Sequence, residues 1–150
     1  MPGIDECLLE AMTLPGARGA ALVDWTSGLA LGVVGDSPVG DHERGAAEAA
    51  ELARAAAEYE TFAAAPDACG APGASPVPCG SPEASPTASG EPQALVEDVI
   101  VASASGYHVL RFVVTNFDSS VFLHLWLDRA TGNLALARLR LADLARRLVL

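Results

Sequence analysis

The side chains able to carry chemistry are few in this sequence, and they are scattered along it. A structural zinc site normally takes three or four ligands, often with paired CxxC spacing, and none of the histidines or cysteines pairs with another at ligand spacing. We therefore predict no metal site, and an odd number of cysteines does not support a disulfide framework. The residues concerned are His42, His108, His124, Cys7, Cys69 and Cys79.

Nucleophilic catalysis is equally unsupported. Cys7 falls on the apolar stripe of a predicted helix, whereas Cys69 and Cys79 lie in a segment too poor in apolar bulk to form a rigid frame. The sequence contains no lysine, since all 9 basic residues are arginine, so the phosphate-binding lysine of a P-loop is absent. We predict a non-catalytic protein that needs no cofactor and is not itself a P-loop GTPase.

The composition indicates one folded domain with little attraction for polyanions. The chain has 150 residues, of which 51% are hydrophobic and 19% charged, which is typical of one globular domain spanning 1–150. The formal net charge of −10 disfavours nucleic acid and anionic membrane surfaces as partners. An acidic first segment and the lack of any run of about 18 apolar residues lead us to expect a cytoplasmic protein without membrane insertion.

The first half of the chain shows a helix, a hairpin and a second helix. Apolar residues recur at helical spacing over 4–14, and two apolar runs at 17–24 and 29–34 flank a turn that contains Gly28. An alanine-rich helix is predicted over 41–63. Its polar stripe contains the i,i+4 pairs Arg44/Glu48 and Arg54/Glu58, and its opposite side is a smooth surface flanked by larger apolar residues. That surface is formed by Ala46, Ala49, Ala50, Ala53, Ala56 and Ala57, with Leu52, Tyr59 and Phe62 beside it.

The second half begins with a segment of low complexity and continues as three strands and a helix. Residues 64–93 are so rich in Ala, Pro, Gly and Ser that we predict a disordered insertion there. Runs of β-branched residues at 95–103, 107–115 and 121–128 predict an antiparallel meander, and a helix capped by Asn133 closes the chain. The predicted fold class is α/β of the α+β type: a single five-stranded antiparallel sheet flanked by helices on both faces, in the order α-β-β-α-β-β-β-α.

This order resembles the Roadblock/LC7 family, in particular its bacterial, Ras-like GTPase-associated members. The likeness is carried by GARGAALVDWTSGLALG from Gly16 to Gly32, by the alanine-rich helix, and by YHVLRFVVTNFDSSVFLHLWLDRATGNLALARLRL from Tyr107 to Leu141. The resemblance implies a dimer, either with itself or with a related chain, in which the second helix and the third strand meet their counterparts. The implied interface residues are Ala49, Ala53, Ala56, Ala57, Val99 and Ile100.

The resemblance also implies a small Ras-like GTPase as the partner of a non-catalytic adaptor or regulator. Arg44 and Arg54 are then candidates for partner binding, because an inserted arginine can stabilise a phosphoryl-transfer transition state. The alternative for both is a solvated intrahelical ion pair. On the closing helix a small basic cluster complements the helix C-terminus or contacts an acidic partner. It consists of Arg138, Arg140, Arg146 and Arg147.

A second interpretation stays open because longin and profilin-like modules share parts of this architecture. In that case the chain is a small-molecule or signal-sensing domain of profilin- or PAS-like architecture, with a ligand enclosed between the sheet and the helices. A dimer that binds a GTPase favours the first interpretation. A monomer with a ligand-shaped cavity favours the second.

Overall fold

The computed structural model describes residues 3–63, 96–114 and 120–148, and their elements follow the predicted order with one short helix added. The predicted insertion at 64–93 lies outside the described residues. The elements are α1 (Ile4–Ala11), β1 (Ala17–Asp24), β2 (Leu29–Gly35), α2 (His42–Glu58), α3 (Glu60–Ala63), β3 (Asp98–Ala102), β4 (Gly106–Val113), β5 (Val121–Asp128) and α4 (Leu134–Arg147).

The described strands form one antiparallel sheet with the spatial order β2-β1-β5-β4-β3. The last strand in sequence, β5, occupies the centre and pairs with both β1 and β4. The hairpin of β1 and β2 and the meander of β3, β4 and β5 are both present as predicted. The predicted fold class is therefore confirmed.

The two faces of the sheet are covered differently because β5 is apolar on both sides. Its residues Leu123, Leu125 and Leu127 are buried beneath α1 and α4, on what we call the leucine face. Phe122 belongs to the opposite side, which we call the alanine face because Ala46, Ala50 and Ala53 of α2 cover it. Burying a leucine contributes about 1.5–3 kcal/mol, so the leucine face supplies the larger share of apolar stabilisation.

The turn between β1 and β2 forms as predicted. The Asp24 carboxylate accepts hydrogen bonds from the Thr26 hydroxyl at 2.6 Å and from the Thr26 backbone N–H at 2.9 Å. The bond from the Thr26 side chain is the main reason why the pKa of Asp24 is lowered. Gly28 has φ of +75°, a conformation that favours glycine, and it leads the chain into β2.

A close approach of two glycines joins the start of β1 to the loop before α4. Gly16 has φ of +75°, and a Cβ at this position would lie 2.5 Å from the Cα of Gly132. The Gly16 carbonyl accepts a hydrogen bond of 2.8 Å from the Asp128 backbone N–H. A side chain at Gly16 would therefore push apart two backbone segments that are bonded to each other.

The predicted helix over 41–63 is corrected in the structure, because it is interrupted at Tyr59. Asp41 caps α2 by accepting from the N–H groups of Glu43 and Arg44, but Tyr59 is extended, with ψ of 127°. The side chains of Tyr59 and Phe62 are 62% and 61% exposed, so the chain beyond α2 has no sheet beneath it to pack against. Propensity alone does not sustain one continuous helix there.

Candidate interaction surface

Strand β3 is an edge of the sheet, and it carries two of the predicted interface residues. It pairs only with β4, in a regular register from Asp98 opposite Arg111 to Ala102 opposite Tyr107. Within the described chain its outer edge has no strand beside it. Val99 packs toward the core of the alanine face, whereas Ile100 is 38% exposed. An unpaired edge without a bulge is a ready template for another strand.

The alanines predicted for the interface divide into two groups on α2. Ala53 is wholly buried against the sheet of its own chain, together with Ala46 and Ala50. Ala49, Ala56 and Ala57 are only partly buried. The smooth surface noted in the sequence is therefore largely used to let α2 approach its own sheet, and Ala53 offers no side-chain surface to a partner.

Larger apolar residues remain exposed at the outer side and end of α2. Leu52 is 41% exposed, and Tyr59 and Phe62 follow it beyond the helix. On the neighbouring edge strand Val101 is 37% exposed. Leu52 and Val101 line the same groove, and neighbouring exposed apolar side chains are more typical of a contact surface than a single exposed leucine is.

The two candidate arginines have different surroundings. Arg44 forms the predicted pair with Glu48, with 3.1 Å between Nε and Oε1, and both side chains are exposed. Arg54 does not form the predicted pair with Glu58. Its guanidinium instead donates to the backbone carbonyls of Trp25 and Thr26, at 2.9 and 3.3 Å, and so ties α2 to the hairpin turn. Both side chains are exposed, but Arg44 is held only by a side chain of its own helix, whereas Arg54 is bonded to the backbone of another element.

A groove of about 300 Å³ opens between α2 and the alanine face of the sheet. It exists because α2 presents glycine and alanine here, so that Gly45 and Ala49 leave space above the strands. Glu48 and Leu52 lie along the helix side, and Val101 lies on the sheet side. Two histidines, His108 and His124, also line it.

These two histidines contact each other, which corrects the prediction that no two histidines pair. His108 Nδ1 and His124 Nε2 lie 3.1 Å apart, and the two rings are stacked with centroids 5.3 Å apart. His108 lies opposite Trp126 in the register of β4 and β5, so it is a diagonal neighbour of His124. Strand register is the signal that would have found the pair, but hydrophobic periodicity alone does not give that register.

Both imidazoles are neutral at pH 7. Burial lowers the pKa of His124 from 6.5 to about 4, and repulsion from His108 contributes a smaller part of this shift. Burial also lowers the pKa of His108. Only a neutral imidazole keeps a lone pair on one nitrogen, so the pair can accept as well as donate.

An aromatic stack continues from the histidines along the alanine face. The His108 and Trp126 rings are nearly parallel, at 6° with centroids 6.2 Å apart, and the Arg18 guanidinium lies 4.5 Å from the centre of the Trp126 ring. Such a cation over an indole contributes about 0.5–2 kcal/mol. The stack fixes His108 in place between the tryptophan and His124.

The basic cluster predicted on α4 is largely paired within the chain. Arg138 Nε lies 2.7 Å from Asp98, which also binds Arg111 at 3.4 Å, so α4 is tied to the edge strand β3. Arg147 lies 2.7 Å from Glu10 and ties α4 to α1. These arginines serve mainly to hold the leucine face together.

Two features are absent from the described residues. No group of three or more His, Cys, Asp or Glu is placed to hold a metal ion in the described ranges. Among the described helices, none is long and apolar enough to cross a membrane.

Comparison with known proteins bears on the fold. No protein-family model matches the sequence, and no curated protein matches it. Among solved structures, that of Myxococcus xanthus MglB is similar, with a TM-score of 0.61 and 16% sequence identity, over 91% of this chain and 77% of that chain. MglB has the Roadblock/LC7 fold. This chain shares that fold. The likeness implied by the sequence is thus supported at the level of architecture.

Proposed function

We propose that this protein is a non-catalytic, dimeric adaptor or regulator of a small Ras-like GTPase. The observation that carries the proposal is the unpaired edge of β3 within a Roadblock/LC7 fold. Bacterial members of that family act with small Ras-like GTPases. The chain contains no lysine and so lacks the phosphate-binding lysine of a P-loop. This supports a complex in which the partner binds the nucleotide and this chain does not.

Self-association through β3 follows from the need to cover this edge. Two copies of β3 related by a twofold axis extend the sheet across the dimer and satisfy the outer N–H and C=O groups of both strands. Ile100 and Val101 are partly exposed on this strand, and Leu52 is exposed on α2, so the same contact covers apolar surface from two elements. The partly buried Ala49, Ala56 and Ala57 allow close approach beside them.

Size-exclusion chromatography with light scattering tests the dimer. We expect the unmodified chain to have the mass of a dimer and Ile100→Lys to be monomeric, because a lysine on an edge strand opposes strand pairing. Leu29→Lys is the matched control, since Leu29 is 63% exposed on β2, at the opposite edge of the sheet. It is expected to remain dimeric, with circular dichroism showing that both variants fold. A monomeric unmodified chain, or a dimer that survives Ile100→Lys, overturns this part of the proposal.

The GTPase partner is tested with purified small Ras-like GTPases of the same genome, each loaded with GDP or with a non-hydrolysable GTP analogue. We expect a complex with two copies of this chain and one or two GTPases, formed with one nucleotide state in preference to the other. Arg44→Ala is expected to weaken it, because the exposed ion pair of Arg44 with Glu48 is easily exchanged for a partner, whereas the Arg54 guanidinium is bonded to the backbone of the hairpin turn. Absence of binding to every GTPase in both states contradicts the proposal. The rate of GTP hydrolysis with and without this chain distinguishes a stimulator from a scaffold.

A second candidate function is favoured by the groove between α2 and the sheet. Its volume of about 300 Å³ is at the lower end of the range in which small ligands bind, and its walls are mainly apolar with a few polar groups. This is the small-molecule or signal-sensing function of a profilin- or PAS-like domain. A monomeric chain that binds a small molecule in the groove, and no GTPase, would favour it over the adaptor.

A further inference from the structure

The histidine pair is the one cluster of polar side chains that the proposed adaptor function does not use. Within the described chain, the imidazoles of His108 and His124 have no hydrogen bond other than the one they share. They lie at the wall of an open groove instead of in a closed core. Two partly buried imidazoles held together on neighbouring strands are suited to binding a metal ion that both of them ligate.

The separation of the facing nitrogens fits a single metal ion. Zinc binds imidazole nitrogen at about 2.0–2.1 Å in tetrahedral sites, which places two ligating nitrogens about 3.3 Å apart. The distance between His108 Nδ1 and His124 Nε2 is 3.1 Å. The two atoms are therefore within about 0.2–0.3 Å of the spacing that a shared tetrahedral ion requires, which a small adjustment of the rings provides without movement of either strand.

The surroundings provide the other conditions for metal binding. A metal ligand must offer a free lone pair, and a neutral imidazole offers one on a single ring nitrogen. The groove gives an ion access from solvent and leaves room for water molecules to complete its coordination, with the Glu48 side chain on the opposite, helix side of the groove. The stack of His108 on Trp126 fixes one ring, as the outer shell of a metal site commonly does.

We propose that His108 and His124 are the two protein ligands of a divalent transition-metal site in the groove, suited to Zn²⁺, Ni²⁺ or Cu²⁺. Water fills the remaining positions, because the described residues contain no third ligand placed to complete the set. On binding, the proton on one facing nitrogen moves to the outer nitrogen of the same ring, so that both facing lone pairs reach the ion. The site is independent of the GTPase proposal, so failure of one proposal leaves the other unaffected.

Isothermal titration of the full chain with Zn²⁺ and Ni²⁺ tests the site. Cys69 and Cys79 are replaced by serine throughout, because thiolates bind the same ions, and no polyhistidine tag is present. We expect one ion per chain. His108→Gln and His124→Gln should each weaken binding at least tenfold, because even a change in the outer shell of a metal site lowers metal affinity by about 10–100-fold. His42→Gln is the matched control, since His42 begins α2 and is not among the residues that line the groove, and the affinity of this variant should be unchanged. Mg²⁺, which prefers oxygen ligands, should not bind there.

A measurement without variants guards against misfolding of the substituted chains. In long-range ¹H–¹⁵N spectra of the imidazoles, saturating Zn²⁺ should shift the nitrogens of His108 and His124 and leave those of His42 in place. Binding that persists in both glutamine variants, or imidazole signals of the pair that do not respond to Zn²⁺, overturns the proposal and leaves a purely structural hydrogen bond.

Discussion

The leucine face and the alanine face of the same sheet differ in what the covering helices do. On the leucine face, α1 and α4 bring large side chains that fill the space above the strands. Arginines of α4 form ion pairs that join this helix to α1 and to β3. On the alanine face, α2 brings small side chains and leaves a groove with two histidines in its wall. One side of the sheet is thus densely packed, while the other has a smaller core beside an open groove.

Removing a large side chain from the leucine face should have the greatest effect on stability. Leu123 is 1% exposed in the centre of β5, and Leu123→Ala leaves a cavity that lowers the free energy of unfolding by about 2–5 kcal/mol. Urea denaturation followed by circular dichroism measures the change. Leu139→Ala is the control, because Leu139 is 71% exposed on α4 and its loss should cost about 0.5 kcal/mol or less. Equal effects of the two substitutions would contradict the account of this face.

Adding a large side chain to α2 separates the two kinds of alanine on that helix. Ala53 is wholly buried, so Ala53→Leu overpacks the alanine face and should lower the free energy of unfolding by about 1–3 kcal/mol. Ala49 lines the groove, so Ala49→Leu extends into open space and should change stability by about 0.5 kcal/mol or less. The same denaturation experiment compares them. A large loss for Ala49→Leu would mean that the groove is closed in solution.

The smallest expected effect concerns the ion pairs that fasten the edge strand. The Asp98 side chain is 10% exposed and binds both Arg111 and Arg138, so Asp98→Asn should cost about 1–2 kcal/mol through weakened charged hydrogen bonds. Asp143→Asn is matched to it, because Asp143 pairs with Arg146 and Arg147 but is 44% exposed, and it should cost about 0.5 kcal/mol or less. If both substitutions have the same small effect, solvent screens the Asp98 network as well.

The sequence predicts the order of elements well because local signals report it directly. The turn at Gly28, the cap at Asn133 and the two apolar faces of β5 all appear in the structure as expected. Short-range chemistry decides each of these features, so a window of a few residues is enough to predict them. The interruption at Tyr59 was missed because it depends on where the sheet beneath α2 ends.

The site was less predictable, because it depends on contacts between distant residues. Periodicity distinguishes the polar stripe of α2 from its alanine side, but it does not tell which alanines face the chain's own sheet, as Ala53 does. It likewise gives no register for β4 and β5, so the contact between His108 and His124 was not foreseen. The interaction of Arg54 with the hairpin turn spans 28 residues or more and has no local signature.

The central position of β5 also has a consequence for how the protein folds. Strand β5 joins the two halves of the sheet, since β1 and β4 pair with it and not with each other. It is also the last of the described strands to be synthesised. At translation rates of about 5–20 residues per second, the hairpin of β1 and β2 waits several seconds for its inner neighbour. Until Val121–Asp128 has left the ribosome, β1 presents an uncovered apolar edge. Pairing so distant in sequence is slow to form, so we expect the pairing of β1 with β5 to come late in folding.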